Sequence, residues 1–259
     1  MPDSCTDIRL IDERAATRTA LTATYFDPNE NLVQFGSLTR VYSHPNIRGI
    51  SIVTADPFQV DTDIDAPELR KFSLLGLRYA DPYDTGTDLT ERLTNAKWPK
   101  LEELELRLAE TYMASVAYDS DAYAEVYTEE RMDEYGDDEM DEGTDWNVEL
   151  SPLLEAIHKL PLKRLALLGA ASSDALLELL AETALPPTLE ELDLSDTSLA
   201  PHDVDWFIKH KSVLEGLKRL VLLRVGIRDA DAVKLEGLGP EIVHSHGNGR
   251  SHRFVVGSE

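Results

Sequence analysis

Cysteine is almost missing from this chain. Cys5 is the single example in 259 residues, so an intrachain disulfide is excluded and a reducing compartment is expected. No histidine stands near it in sequence, so Cys5 reads as a structural thiol and not a nucleophile. Basic residues are scarce too: 25 Lys and Arg face 49 Asp and Glu, for a net charge of −24. Sequence-general nucleic-acid binding needs a basic surface to displace counterions, and an anionic membrane repels an acidic one. Both partners are therefore excluded. No apolar run approaches the roughly 20 residues that span a bilayer. The opening MPDSCTDIRLIDER carries acids where a secretory signal needs a basic start and an apolar stretch. A cytoplasmic protein is expected. The chain also lacks a Gly-rich phosphate loop, G-x-S-x-G and H-E-x-x-H, so neither an enzyme nor a bound cofactor or transition metal is expected.

What the chain does have is a recurring spacing of leucines. The stretch 188–199 reads TLEELDLSDTSL, with Leu189, Leu192, Leu194 and Leu199 in the order L-x-x-L-x-L-x-x-T-x-L. The same skeleton recurs at Leu162, Leu165 and Leu167, at Leu217, Leu220 and Leu222, at Leu101, Leu104 and Leu106, and at Leu69, Phe72 and Leu74. A weaker copy is Ile47, Ile50 and Ile52. The second and third apolar positions are two apart, so they point to one side of a short strand. No unit can bury that side alone, and neighbours must stack into a shared core. The last two intervals, 27 and 28 residues, leave room for a helix on the return path. An α/β solenoid is expected: a curved horseshoe with a parallel sheet on its concave side and helices on its convex side.

This pattern resembles the leucine-rich-repeat proteins of the ribonuclease-inhibitor-like type. Within them the chain is similar to small stand-alone bacterial repeat proteins of undefined role, through WPKLEELEL at 98–106, LSPLLEAI at 150–157 and RFVVGSE at 253–259. Two features depart from the family pattern. Thr197 and Val225 stand where asparagine is common, and the early intervals of 22, 32 and 61 residues are irregular. Some bacterial relatives carry a catalytic ubiquitin-ligase domain after their repeats, and too few residues follow the last repeat here for one. The resemblance thus implies a binding scaffold.

One domain is expected, with residues 1–43 as an N-terminal cap, 44–240 as repeats and 241–259 as a C-terminal cap. Helices are read at 87–95, from Ser151-Pro152, from Ser173 or Asp174, from Pro201 (burying Val204, Phe207 and Ile208) and from Asp229. The repeats are interrupted at about 119–149 by 14 acidic residues and one basic residue, Arg131, with Tyr123, Tyr127 and Tyr135 among them. Such a segment reads as a solvated, protease-sensitive insertion, or as a docking segment for a basic partner. Asp137, Glu139 and Asp141 suggest a calcium loop, but Glu142 and Val148 occupy the positions that need Gly and Glu. In the tail, His244, His246 and His252 could hold a metal with insertion carboxylates. That defines the alternative function, a metal-dependent hydrolase.

The expected function is protein binding on the concave sheet. Residues between the buried leucines project there: Glu103, Glu105, Arg164, Glu191, Asp193 and Arg219 as polar contacts, with Leu168 and Leu223 as apolar anchors. Carboxylates outnumber basic groups in this set, so a protein partner with a basic surface is expected.

Overall fold

The computed structural model describes residues 6–11, 38–54, 63–76, 89–108, 146–170 and 173–246. The bulk of the acidic insertion, the calcium-like loop and His252 lie outside these residues. Each leucine triplet forms a strand where it was expected: β2 (Gly49–Thr54), β3 (Lys71–Gly76), β4 (Glu103–Arg107), β5 (Arg164–Leu168), β6 (Glu191–Asp193) and β7 (Arg219–Val225). Two further strands come from the segments read as caps, β1 (Asp7–Ile11) and β8 (Glu241–His246). All eight pair in parallel, in chain order, in one open sheet. Parallel strands paired in chain order are what stacked repeats impose, and the fold is an α/β leucine-rich-repeat solenoid.

The register explains the leucine spacing. Phe72, Leu104, Leu165, Leu192 and Leu220 lie opposite one another across neighbouring strands. The leucine three residues earlier in each unit enters the same core from the preceding turn, and Leu69, Leu101, Leu162 and Leu189 are all buried. The helices cover this face: α1 (Thr39–Tyr42), α2 (Leu89–Thr94), α3 (Trp146–Ile157), α4 (Ser173–Glu182), α5 (Asp203–Lys209) and α6 (Asp229–Ala232). Leu176, Leu177, Leu179 and Leu180 from α4 join Leu192 and Leu194 in one continuous core. Thr197 replaces the family asparagine with a buried hydroxyl that donates to the Leu194 carbonyl at 2.7 Å.

Two helices differ from expectation. α3 starts at Trp146 and carries Pro152 inside it, although a proline there removes one i→i−4 hydrogen bond. Leu150, Leu153, Leu154 and Ile157 are all buried, an i, i+3, i+4, i+7 stripe that continues through the proline and outweighs the lost bond. α5 starts at Asp203, not Pro201. The Asp203 carboxylate accepts the Ala200 N–H at 2.7 Å, and this turns Asp203 inward with Val204 and Phe207 while Ile208 is 41% exposed.

Candidate functional site

The sheet face turned away from the helices is built from the alternating residues of each strand. In register, its first row runs Lys71, Glu103, Arg164, Glu191, Arg219, Glu241, a strict alternation of sign over six strands. Lys71 Nζ lies 2.7 Å from Glu103, and Arg219 Nη1 lies 2.8 Å from Glu191. Arg164 holds three carboxylates at once, Glu105 at 2.7 Å and Glu191 and Asp193 at 2.8 Å each. Burial opposes its charge, but the hydrogen bonds and charges of those carboxylates outweigh it and raise its pKa.

The residue before each of these repeats the pattern. Arg70 pairs with Glu102, which also accepts from Lys163 at 2.7 Å, and Lys218 reaches Glu190 at 2.8 Å. The hydrogen bond from Lys163, with its charge and that of Arg70, overcomes a modest desolvation and lowers the Glu102 pKa. The five units of β3–β7 therefore each carry a like-signed pair, and successive pairs alternate: Arg70-Lys71, Glu102-Glu103, Lys163-Arg164, Glu190-Glu191, Lys218-Arg219. Backbone geometry fixes the pairs as well. The Glu102 carbonyl accepts both the Lys163 and Arg164 N–H groups, and the Glu190 carbonyl accepts those of Lys218 and Arg219.

At the other end of the strands three residues with positive φ occupy one register position in consecutive units: Gly169 (78°), Asp196 (62°) and Arg224 (56°). Only glycine adopts this region without strain. The two non-glycine residues are held by each other, with Arg224 Nε and Nη2 on the two Asp196 oxygens at 2.5 and 2.6 Å. Arg107 Nη2 adds a third contact at 3.0 Å. Burial pushes the Asp196 carboxyl up, but the Arg224 hydrogen bond and the charges of Arg107 and Arg224 prevail and hold it below the usual carboxylate range. A depressed folded-state pKa gives stability that is present above the ordinary carboxylate value, about 3.9, and lost as pH falls below it. Asp196→Asn keeps a side chain that tolerates positive φ and removes the charge. It should cost about 1–2 kcal/mol at neutral pH, with the difference from wild type closing below about pH 4. Urea titrations at the two pH values check this, and an equal loss at both would assign the contribution to something other than charge.

The expected binding residues do share this face, but not equally. Asp193 is 7% and Leu168 8% exposed, so both present little to a partner. Asp193 is turned inward onto Ser195, accepting its N–H at 3.1 Å and its hydroxyl at 2.6 Å. Glu103, Glu105, Arg164, Glu191 and Leu223 are half-buried, and Arg219 is exposed. Glu103, Glu105 and Arg164 also line an open cleft of about 260 Å³ over β1–β4 and the edge of β5, whose other walls sequence reasoning missed. Its floor is Gly49, Ser51 and Ser73, and Arg9, Lys71 and Glu105 stand around it. The Asp7 carboxylate lies over Gly49 in the space a Cβ would fill. Small residues at consecutive register positions were the available signal.

Two of the tail histidines, His244 and His246, make internal contacts. His244 falls opposite Leu222, at a core-facing register position. His244 Nε2 and His246 Nδ1 lie 3.0 and 3.1 Å from the same Ile227 carbonyl oxygen. These contacts take one nitrogen of each ring, and the other nitrogen of His244, Nδ1, lies 3.4 Å from Asp229 Oδ1.

No protein-family model matches the chain, and no curated protein matches it. Among solved structures it is similar to a Bacteroides fragilis protein, at 18% identity and a TM-score of 0.54, over 79% of this chain and 48% of that one. An internalin from Listeria monocytogenes aligns at 14% identity and a TM-score of 0.32, over 80% of this chain and 56% of that one. The chain thus spans about half the length of each. At these identities the first likeness concerns the fold alone.

Proposed function

We propose that the chain is a non-catalytic, intracellular protein-binding scaffold of the kind its leucine-rich repeats resemble, and that its partner docks on the open sheet face over β1–β4. The observation that carries this is the cleft floored by Gly49, Ser51 and Ser73. It is a recess on a rigid sheet, bordered by charges of both signs, and a partner entering it loses little to reordering the scaffold. Charges are paired on both halves of this face, and a recess of about the same 260 Å³ lies among Arg164, Glu191 and Arg219, so it is the small floor that sets the β1–β4 end apart. The basic character of the partner rests on the whole-chain charge of −24 rather than on this face, where acids and bases nearly balance. Long-range attraction then sets the association rate, which falls as salt rises. His244 and His246 each commit one ring nitrogen to Ile227, so the hydrolase alternative draws only on the ring nitrogens that remain.

The test follows from the packing. Charge reversal at Glu191 and Asp193 would leave Arg164 without two of its three carboxylates and unfold the sheet before it reported on binding. Ser51→Trp and Ser73→Trp instead fill the cleft and leave every ion pair in place. Both are partly exposed positions, so stability should change by about 0.5 kcal/mol or less. A partner recovered on wild-type protein should lose at least about tenfold in affinity, roughly 1.4 kcal/mol, on either variant. Unchanged affinity on both would place the docking surface elsewhere.

A further inference from the structure

The convex side carries a second constellation that the sequence did not mark out. Among the described residues, ligand atoms of Asp174, His202 and Asp203 all lie within 4.8 Å of one another. Asp174 comes from the first turn of α4, and His202 and Asp203 from the start of α5 in the next repeat. The stacking of units thus assembles the group from residues 28 apart. We propose that Asp174, His202 and Asp203 form a binding site for a divalent transition metal of the zinc type.

Three features carry this. The first is the state of Asp203. Its side chain is 3% exposed, yet only Oδ2 has a hydrogen bond among the described residues, from the Ala200 N–H at 2.7 Å. Oδ1 is left facing His202 Nε2 at 3.5 Å, too far for a good hydrogen bond. A carboxylate this buried, with one backbone donor and an imidazole beside it, is costly to keep charged unless a cation offsets it.

The second is distance. Zinc binds imidazole nitrogen and carboxylate oxygen at about 2.0–2.2 Å, so in a tetrahedral site two donors stand roughly 3.4 Å apart. The 3.5 Å between His202 Nε2 and Asp203 Oδ1 matches that separation. Asp174 is exposed, with no hydrogen bond to its carboxylate among the described residues, and a rotamer change brings it in as third ligand. Water completes the shell.

The third is support. The Ala200 N–H fixes the orientation of the Asp203 carboxylate, as an outer-sphere partner does in metal sites. One nitrogen and two carboxylates favour zinc and its neighbours over calcium, which takes six to eight oxygens. Both helix starts also attract carboxylates by their own dipoles, so the two aspartates have a role without metal. His202 makes no capping hydrogen bond, which makes it the diagnostic residue.

The experiment is calorimetric titration of the full, tag-free chain with zinc chloride at physiological salt, where loose binding to surface acids is screened. One zinc per chain is expected, with a rise in Tm when the metal is added. His202→Ala, at a side chain 75% exposed, should fold normally and weaken binding by more than the roughly 10–100-fold that losing an outer-sphere partner costs. Asp174→Asn should weaken it as well, while His244→Ala combined with His246→Ala should leave it unchanged. Absence of stoichiometric binding would overturn the assignment, and so would binding that survives His202→Ala. Either result would leave the aspartates as helix-start residues only.

Discussion

Arg164→Ala should destabilise the protein by roughly 2–4 kcal/mol, somewhat less than breaking a fully buried ion pair costs. Arg164 is 26% exposed and satisfies Glu105, Glu191 and Asp193 together. Its loss does not strand all three equally. Glu191 keeps Arg219 at 2.8 Å, whereas Glu105 and Asp193 lose the one cation within ion-pair distance among the described residues. The penalty therefore comes mostly from two carboxylates left together without a counter-charge. A second change separates this from lost packing: Asp193→Asn in the Arg164→Ala background should recover about 1 kcal/mol or more, while its amide oxygen still accepts from Ser195. Arg164→Lys should fall between, since a single ammonium cannot reproduce a fork that reaches three acceptors. Chemical denaturation of these proteins together with Asp193→Asn alone measures the cycle. If Arg164→Ala lies within about 0.5 kcal/mol of wild type, the network is only a surface decoration.

Leu192→Ala is expected to cost about 2–5 kcal/mol, as a large-to-small change in a packed core. Leu192 is fully buried, between Leu165 on β5 and Leu220 on β7. Because the units are coupled only to their neighbours, the cavity should loosen β7 and β8 from the rest. Hydrogen exchange should then quicken in residues 219–246 before it does in β2–β4. Ile208→Ala, at a position 41% exposed, is the control and should change stability by about 0.5 kcal/mol or less. Equal effects at the two positions would contradict the register described above.

The leucine spacing made six of the eight strands legible because it reports a requirement every interior unit shares: a layer packed on both sides. β1 and β8 fall outside that spacing because each sits at an end of the stack. Their triplets read Cys5, Ile8, Leu10 and Gly239, Ile242, His244, with apolar positions degraded where only one neighbour needs them. His244 is a polar group at a leucine position, tolerated because the Ile227 carbonyl accepts from it. The helix starts were misjudged for a different reason. Pro152 and Pro201 were read by their local preference, but a buried stripe decided α3 and the Asp203 carboxylate decided α5. For the open face, the sequence showed which residues project from the sheet but not what they touch. Arg164 and Glu191 were read one at a time as contacts for a partner, although the alternation of Glu-Glu with Lys-Arg was visible in each repeat. The cleft depends on Gly49, Ser51 and Ser73 falling side by side, which requires the register. The Asp174–His202–Asp203 group likewise exists only once two helix starts are stacked.

The alternating pairs of like charge carry a rule about how this molecule can change in length. A solenoid ordinarily grows by duplicating one unit, since every unit offers its neighbours the same leucines. Here a single duplication would set Glu190-Glu191 beside a second Glu-Glu, or Lys218-Arg219 beside a second Lys-Arg. The leucines would still match while two rows of like charges met at strand spacing. Units can be gained or lost in twos without such a clash, because a basic unit and an acidic one together restore the order. From β3 to β7 the sheet therefore has a parity: a duplicated pair of units would fit it where a single duplicated unit would not.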